Sequence, residues 1–317
     1  MNIIRYLPAR AEIAPSALTI GNLDGVHLGH QAMLAAVVAA SQARGLCPSV
    51  LTFDPHPKHY FAKLLGKPAA IPKQINSFRD KVNKIAATGI KQLALLRFDQ
   101  ELANLSAESF IENLLVTELK TRWLMVGSDF RFGQKRLGDV AMLEHYAKHL
   151  GFELVVLPQV CDAGGHRISS SMVRHALQDG HMDRAAELLG GPWRLTGHVI
   201  HGKKLGRTLG FPTLNMRAPA NTAVRFGIYV VKVHGLGPHP LPGIASLGIR
   251  PTVDDSLGVL LETHIIGSTV AAYGKLVTVD LLQHVRDEQK FPDLITLTDA
   301  MQQDRQHAIE YFAHHGL

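Results

Sequence analysis

The chain of 317 residues, 46% hydrophobic and 19% charged, has material for about two globular domains and is too apolar for a disordered chain. Its 28 glycines and 16 prolines follow no period, which excludes a collagenous chain, and its two cysteines, Cys47 and Cys161, make neither a disulfide framework nor a C-x-x-C site. A net charge of +6 is mild for a nucleic-acid binder, the uncharged stretch 25–43 carries His27, His30, Gln31, Ser41 and Gln42, and residues 1–10 lack a signal core, so a soluble cytoplasmic protein without nucleic-acid or membrane partners is predicted.

In chain order, the first half alternates strand and helix. Strands are predicted at 17–21, 49–53, 92–98, 123–127 and 153–157. Helices are predicted at 27–43, 78–87, 107–119 (capped by Ser106), between 127 and 153, and at 170–179. That alternation predicts an α/β doubly wound parallel sheet, whose ligands bind beyond the carboxyl ends of the strands. The loops after Ile20, Phe53 and Val126 are therefore the places for a site.

The second half reads differently. After a short helical stretch, Gly190-Gly191-Pro192 stops any helix. Alternating runs at 194–201, 227–234, 260–266 and 276–284 follow, and an amphipathic helix at 296–312 closes the chain. Strands without intervening helices predict an antiparallel barrel or sandwich. The boundary is expected within 183–192, giving domains 1–186 and 187–317, and no internal repeat relates the halves.

The richest segment, Gly21-Asn22-Leu23-Asp24-Gly25-Val26-His27-Leu28-Gly29-His30, follows a strand and opens a helix. Free N–H groups and a partial positive charge at a helix start suit an anion, and His27 and His30 share one helical face. Gly29 keeps the backbone between them open. The competing readings are a plain turn and helix that happens to contain two histidines, and a metal pair, for which no third ligand is evident. Downstream, Ile168-Ser169-Ser170-Ser171-Met172-Val173-Arg174 sets three hydroxyls ahead of a helix with Arg174 one turn in, which reads as a capped helix or as phosphate ligands.

A decoy lies in the second half. Gly197-His198-Val199-Ile200-His201-Gly202-Lys203-Lys204 nearly matches a P-loop, but it ends in Lys and lies in strand-like sequence, so it is rejected. Overlapping it, Gly206-Arg207-Thr208-Leu209-Gly210-Phe211-Pro212-Thr213-Leu214-Asn215 reads as a glycine-rich hairpin or a functional loop.

Taken together, G-N-L-D-G-V-H-L-G-H, T-F-D-P-H-P (52–57), V-G-S-D-F-R-F-G (126–133), I-S-S-S-M-V-R and P-T-L-N resemble, in order and spacing, the bacterial bifunctional riboflavin kinase/FAD synthetase family over essentially the whole chain. The resemblance implies that riboflavin plus ATP gives FMN, and FMN plus ATP gives FAD and pyrophosphate. In the first half it implies ATP binding by Gly21, Asn22, Leu23, Asp24, His27, Gly29, His30, Ser170 and Arg174. His27 and His30 would stabilise charge at the α-phosphorus, and Asp129 would lie in the flavin pocket, where Phe130 and Phe132 either pack on a ring or fill the core. In the second half it implies ATP binding by Gly206, Arg207, Gly210, Thr213 and Asn215, Mg²⁺ on Thr213 and Asn215, and Glu262 as general base for the riboflavin hydroxyl. Arg286 and Glu288 also match the family but read equally as solvated charges.

The chain departs from the family's pattern at Leu23 and Ser171, which keep an apolar side chain and a hydroxyl, and at Lys203, Lys204 and Ala272 beside the kinase motifs. Two other functions stay open at this stage: an adenylyltransferase whose barrel only binds flavin, and a non-catalytic flavin or nucleotide sensor. Residues 1–186 hold 21 basic and 16 acidic groups, the remainder 12 and 11, so the positive excess falls on the half expected to gather ATP and a flavin phosphate.

Overall fold

Near-continuous apolar runs are what a parallel sheet covered on both faces requires. The computed structural model, which describes residues 1–5, 13–202, 206, 209–251, 257–268 and 270–316, contains such a sheet. Its strands are β1 (Asn2–Ile4), β2 (Ser16–Ile20), β3 (Cys47–Asp54), β4 (Gln92–Arg97), β5 (Thr121–Gly127) and β6 (Glu153–Leu157), all parallel in the order β1-β4-β3-β2-β5-β6. The order reverses between β2 and β5, so the loop after β2 opens at the switch point where open α/β sheets bind ligands.

The helices on this sheet are α1 (Leu28–Arg44), α2 (Pro57–Leu64), α3 (Phe78–Ala87), α4 (Gln100–Asn104), α5 (residues 107–118) and α6 (Val140–Leu150). On one face Ala17, Val50, Leu93, Trp123 and Met125 pack with Leu34 and Val37 of α1 and Ile85 of α3. On the other face Leu18, Leu51, Ala94, Leu124 and Val126 pack with Phe110, Ile111 and Leu115 of α5 and Leu143 of α6. Ser106 caps α5 as expected, accepting from Ser109 N–H, but from Phe110 to Glu118 the helix is wound as a π-helix. The three-residue edge strand β1 was not expected, being too short to show a period.

The chain divides into two units, one of residues 1–72 and 81–169, the other of residues 73–80 and 170–317. The second unit opens with α7 (Ser170–Asp179) and α8 (Met182–Leu189), the latter against two strands of an antiparallel sheet. That sheet comprises β7 (Trp193–His198), β8 (Thr213–Arg217), β9 (Gly227–His234), β10 (Leu241–Pro251), β11 (Leu257–Ile265) and β12 (Leu276–Arg286). The order is β7-β12-β9-β10-β11-β8, and a bridge between Ile200 and Asn215 brings the edges together in a curled half-barrel. The closing helix α9 (Leu294–His314), capped by Asp293, seats Ala308 and Phe312 on Val230 and Ile244. Residues 73–80 line this unit: Trp193 Nε1 donates to the Ile75 carbonyl, and Asp80 accepts from Thr196 N–H at 3.2 Å.

The antiparallel half-barrel matches expectation in class, but two of its strands were missed. β8 carries a buried Asn215, and β10 carries Pro242, Gly243, Gly248 and Arg250, so neither shows the apolar alternation of a half-buried strand.

Candidate active sites

In the first unit the loop 21–27 leaves β2 and enters α1. Leu23 and Val26, both 1% exposed, are forced into the left-handed region, with φ of 49° and 47°. For a β-branched valine this is a strained backbone, of the kind that concentrates at ligand-binding turns. His27 is the N-cap of α1, its Nδ1 accepting from His30 N–H at 3.4 Å, which leaves Nε2–H as its donor. The two imidazoles stack with centroids 3.7 Å apart. A Cβ at Gly29 would lie 3.2 Å from two atoms of the His27 ring, so the glycine there makes room for the neighbouring imidazole. Ile168 O lies 3.7 Å from the same point, so the chain leading into Ser169 passes the start of α1.

Burial first, then His27 and then the Lys81 charge hold the His30 imidazole well below its ordinary value, so it is neutral at pH 7. Its Nδ1 is buried without a partner, as is Asn22 Oδ1. These are unmet polar atoms in the segment where the sequence placed a nucleotide. Lys81 was missed by sequence reasoning because R-D-K-V-N-K on an amphipathic helix reads as a solvated face. Its Nζ donates to Thr52 Oγ1 at 2.8 Å, and Thr52 donates to the Asn22 carbonyl at 3.4 Å.

Asp129 lies in the turn after β5 and pairs with Arg167 at 2.8 Å, a second residue that was not expected. The Arg167 hydrogen bond holds the Asp129 carboxyl below the usual carboxylate range. Phe132 is 5% exposed in the core and Phe130 stacks on it at 5.5 Å, so Phe132 fills the core. Ser170 opens α7, and Arg174 one turn on donates from Nε to the Lys73 carbonyl at 2.8 Å. Both are counted in the second unit, whereas His27 and His30 belong to the first.

In the second unit a cavity of about 360 Å³ opens on one face of the sheet. Strand register explains its polar lining: Asn215 on β8 stands opposite Glu262 on β11, and Glu262 opposite Ser246 on β10. Thr213, two residues before Asn215, stands opposite His264 and shares that face. Asn215 is 4% exposed, with Oδ1 buried and unpartnered. Gly202, the last glycine of the rejected P-loop pattern, lies so close to the Asn215 amide that a Cβ would fall 2.5 Å from Nδ2. Gly206 accepts from Phe211 N–H at 2.7 Å and from Leu209 N–H at 3.2 Å, closing the turn in which Gly210 takes a φ of 82°. Arg207, Lys203 and Lys204 lie outside the described residues.

Arg250 joins two carboxylates in this cavity. Its Nε donates to Glu262 at 3.3 Å, while its Nη2 donates to Ser246 Oγ at 3.1 Å and to Glu288. Glu288 thus enters the cavity, and Arg286 is held by two bonds to Asp304, at 2.9 and 2.6 Å. Ala272, one of the departures, is 3% exposed and lines a neighbouring hollow of about 280 Å³ with Thr213 and Tyr273.

A histidine-bearing helix start on a doubly wound sheet, and a Thr/Asn/Glu face inside an antiparallel half-barrel, give the chain two modules of different class, each with a candidate site. Comparison with known proteins sharpens this. Residues 9–172 match the FAD synthetase family model and residues 189–312 the riboflavin kinase model. The chain belongs to the bifunctional riboflavin kinase/FMN adenylyltransferase family. It is 39% identical to the member from Escherichia coli K12, over 93% of this chain and 92% of that one, and 38% identical to the member from Haemophilus influenzae, over 98% and 99%. A crystal structure described as a macrolide-efflux protein from Streptococcus pneumoniae is 27% identical, with a TM-score of 0.78 over 96% of this chain and 97% of that one. That likeness extends the shared fold over both units. Among the described residues, no helix is long and apolar enough to cross a membrane.

Proposed function

We propose that this chain makes flavin cofactors in two ATP-dependent steps, phosphorylating riboflavin to FMN and then transferring AMP from ATP to FMN, which gives FAD and pyrophosphate. The kinase step belongs to residues 187–317 and the adenylyl transfer to residues 1–186. The carrying observation is the register that puts Glu262, Asn215 and Thr213 on one face of the half-barrel, inside its cavity.

In the kinase step Glu262 accepts the proton of the riboflavin 5′-hydroxyl as that oxygen bonds to the γ-phosphorus and ADP departs. Arg250 holds the Glu262 carboxylate, and Ser246 in turn accepts from Arg250. Thr213 and the unpartnered Oδ1 of Asn215 are hard oxygen donors of the kind Mg²⁺ prefers, and they would hold it; bound there, the ion neutralises phosphate charge. Gly206 and Gly210, with Arg207 assigned by the family resemblance alone, are given to the ATP phosphates.

In adenylyl transfer the FMN phosphate oxygen attacks the α-phosphorus and pyrophosphate leaves, so no protein nucleophile is required. Gly21, Asn22, Leu23, Asp24 and Gly29 shape the ATP loop, His27 and His30 donate to the charge that develops at the α-phosphate, and Ser170 and Arg174 take the pyrophosphate. Asp129, held charged by Arg167, faces the flavin. Incubating the purified protein with riboflavin, ATP and Mg²⁺ is expected to give FMN and then FAD by chromatography. FAD only from added FMN would remove the kinase half, and no turnover of either flavin would remove both.

A further inference from the structure

Adenylyl transfer gathers a triphosphate and a flavin phosphate in one place, so the site has to offer positive charge. At the start of α1, His30 is neutral at pH 7 and supplies no charge, while His27 Nδ1 accepts from His30 N–H. A cation comes from the helix packed beside α1. Lys81 in α3 extends toward the carboxyl end of β3, where Thr52, wholly buried, takes one of its three N–H donors at 2.8 Å. Thr52 in turn donates a hydrogen bond to the carbonyl of Asn22 in the phosphate loop. Lys84, one turn further along α3, reaches the Gly25 carbonyl of the same loop at 3.5 Å.

We propose that Lys81 is a further substrate-binding residue of the adenylyl-transfer site, its ammonium supplying positive charge and contacting the phosphates gathered at the start of α1. The inference rests on the adenylyltransferase reading above. Two donors of the ammonium remain for those phosphates, and the Thr52–Asn22 contact ties its position to the loop. Asp24 from the loop and Asp54 from β3 favour the charged amine, while His30 faces it from α1 and Lys84 lies on its own helix. Burial outweighs the two carboxylates and brings Lys81 down to about 8. It is therefore charged below that pH and neutral above it.

The wild-type protein thus tests the proposal without any variant. FMN adenylylation is expected to fall through an alkaline limb near pH 8, and riboflavin phosphorylation on the same chain is not. Lys81→Met should lower the turnover number for adenylylation about 10- to 100-fold and abolish the limb, leaving phosphorylation intact. Lys81→Arg should keep most of the activity and move the limb beyond about pH 10. Thr52→Val, which removes the hydrogen bond but keeps the amine, should change turnover less than about threefold. A wild-type profile without the limb, a limb that survives in Lys81→Met, or a Thr52→Val loss as large as that of Lys81→Met would each overturn it. Absence of FAD from wild-type protein given FMN would instead overturn the adenylyltransferase reading itself.

Discussion

The two candidate sites are proposed to handle the same kind of ligand, an ATP phosphate chain, by different physical means. In the first unit a strand ends at the switch point of a parallel sheet, and the next helix begins with stacked histidines, an arrangement whose backbone N–H groups suit an anion. In the second unit the cavity is lined mainly by strands. Alternation along antiparallel strands brings Thr213, Asn215, Ser246 and Glu262 to one face, and the donors are side-chain oxygens. Adenylyl transfer brings its own nucleophile, the FMN phosphate, and asks the protein for electrostatic support. Phosphorylation of a neutral alcohol asks for a base. That part falls, in the proposed kinase step, to the Glu262 carboxylate of the second site.

If the two sites are independent, single changes will separate the activities. His30→Ala is expected to lower FMN adenylylation about 100-fold or more while riboflavin phosphorylation stays unchanged, read by steady-state assays of both reactions. Arg250→Met, which frees both Glu262 and Glu288, should lower phosphorylation about 10-fold through the turnover number and leave adenylylation alone. Gly202→Ala pushes a methyl group into the Asn215 amide, and a severalfold rise in the Mg²⁺ concentration needed for half-maximal phosphorylation is expected. The smallest effect belongs to Asp129. Because Arg167 keeps its carboxyl below the usual range, it stays charged as the pH falls from about 7.5 to 5.5, so the KM for FMN should show no titration of this group. Asp129→Asn should raise that KM by less than about fivefold.

The legibility of the two regions differed for the same physical reasons. In the first, apolar runs with helical sequence between them announced every strand except the edge strand β1, and the histidine loop fell where the topology opens its ligand crevice. The π-helical winding of Phe110–Glu118 left no mark, since its apolar spacing is that of an ordinary amphipathic helix. In the second, strands that line a cavity look unlike strands: β10 bears Gly243 because the His264 carbonyl leaves no room for a side chain, and Gly248 because Glu288 does the same. Arg250 and Lys81 were illegible because each is an ordinary charged residue until the fold brings partners to it. Arg286 and Glu288 matched a family pattern, and the structure adds what they touch: Asp304 and Arg250.

The most direct test of two separate sites is Glu262→Gln assayed for both reactions on one preparation, by chromatography of the flavins. Riboflavin phosphorylation should fall at least about 100-fold, while FMN added directly should still be converted to FAD at close to the wild-type rate. Equal loss of both reactions in a folded protein, or undiminished formation of FMN, would contradict the assignment.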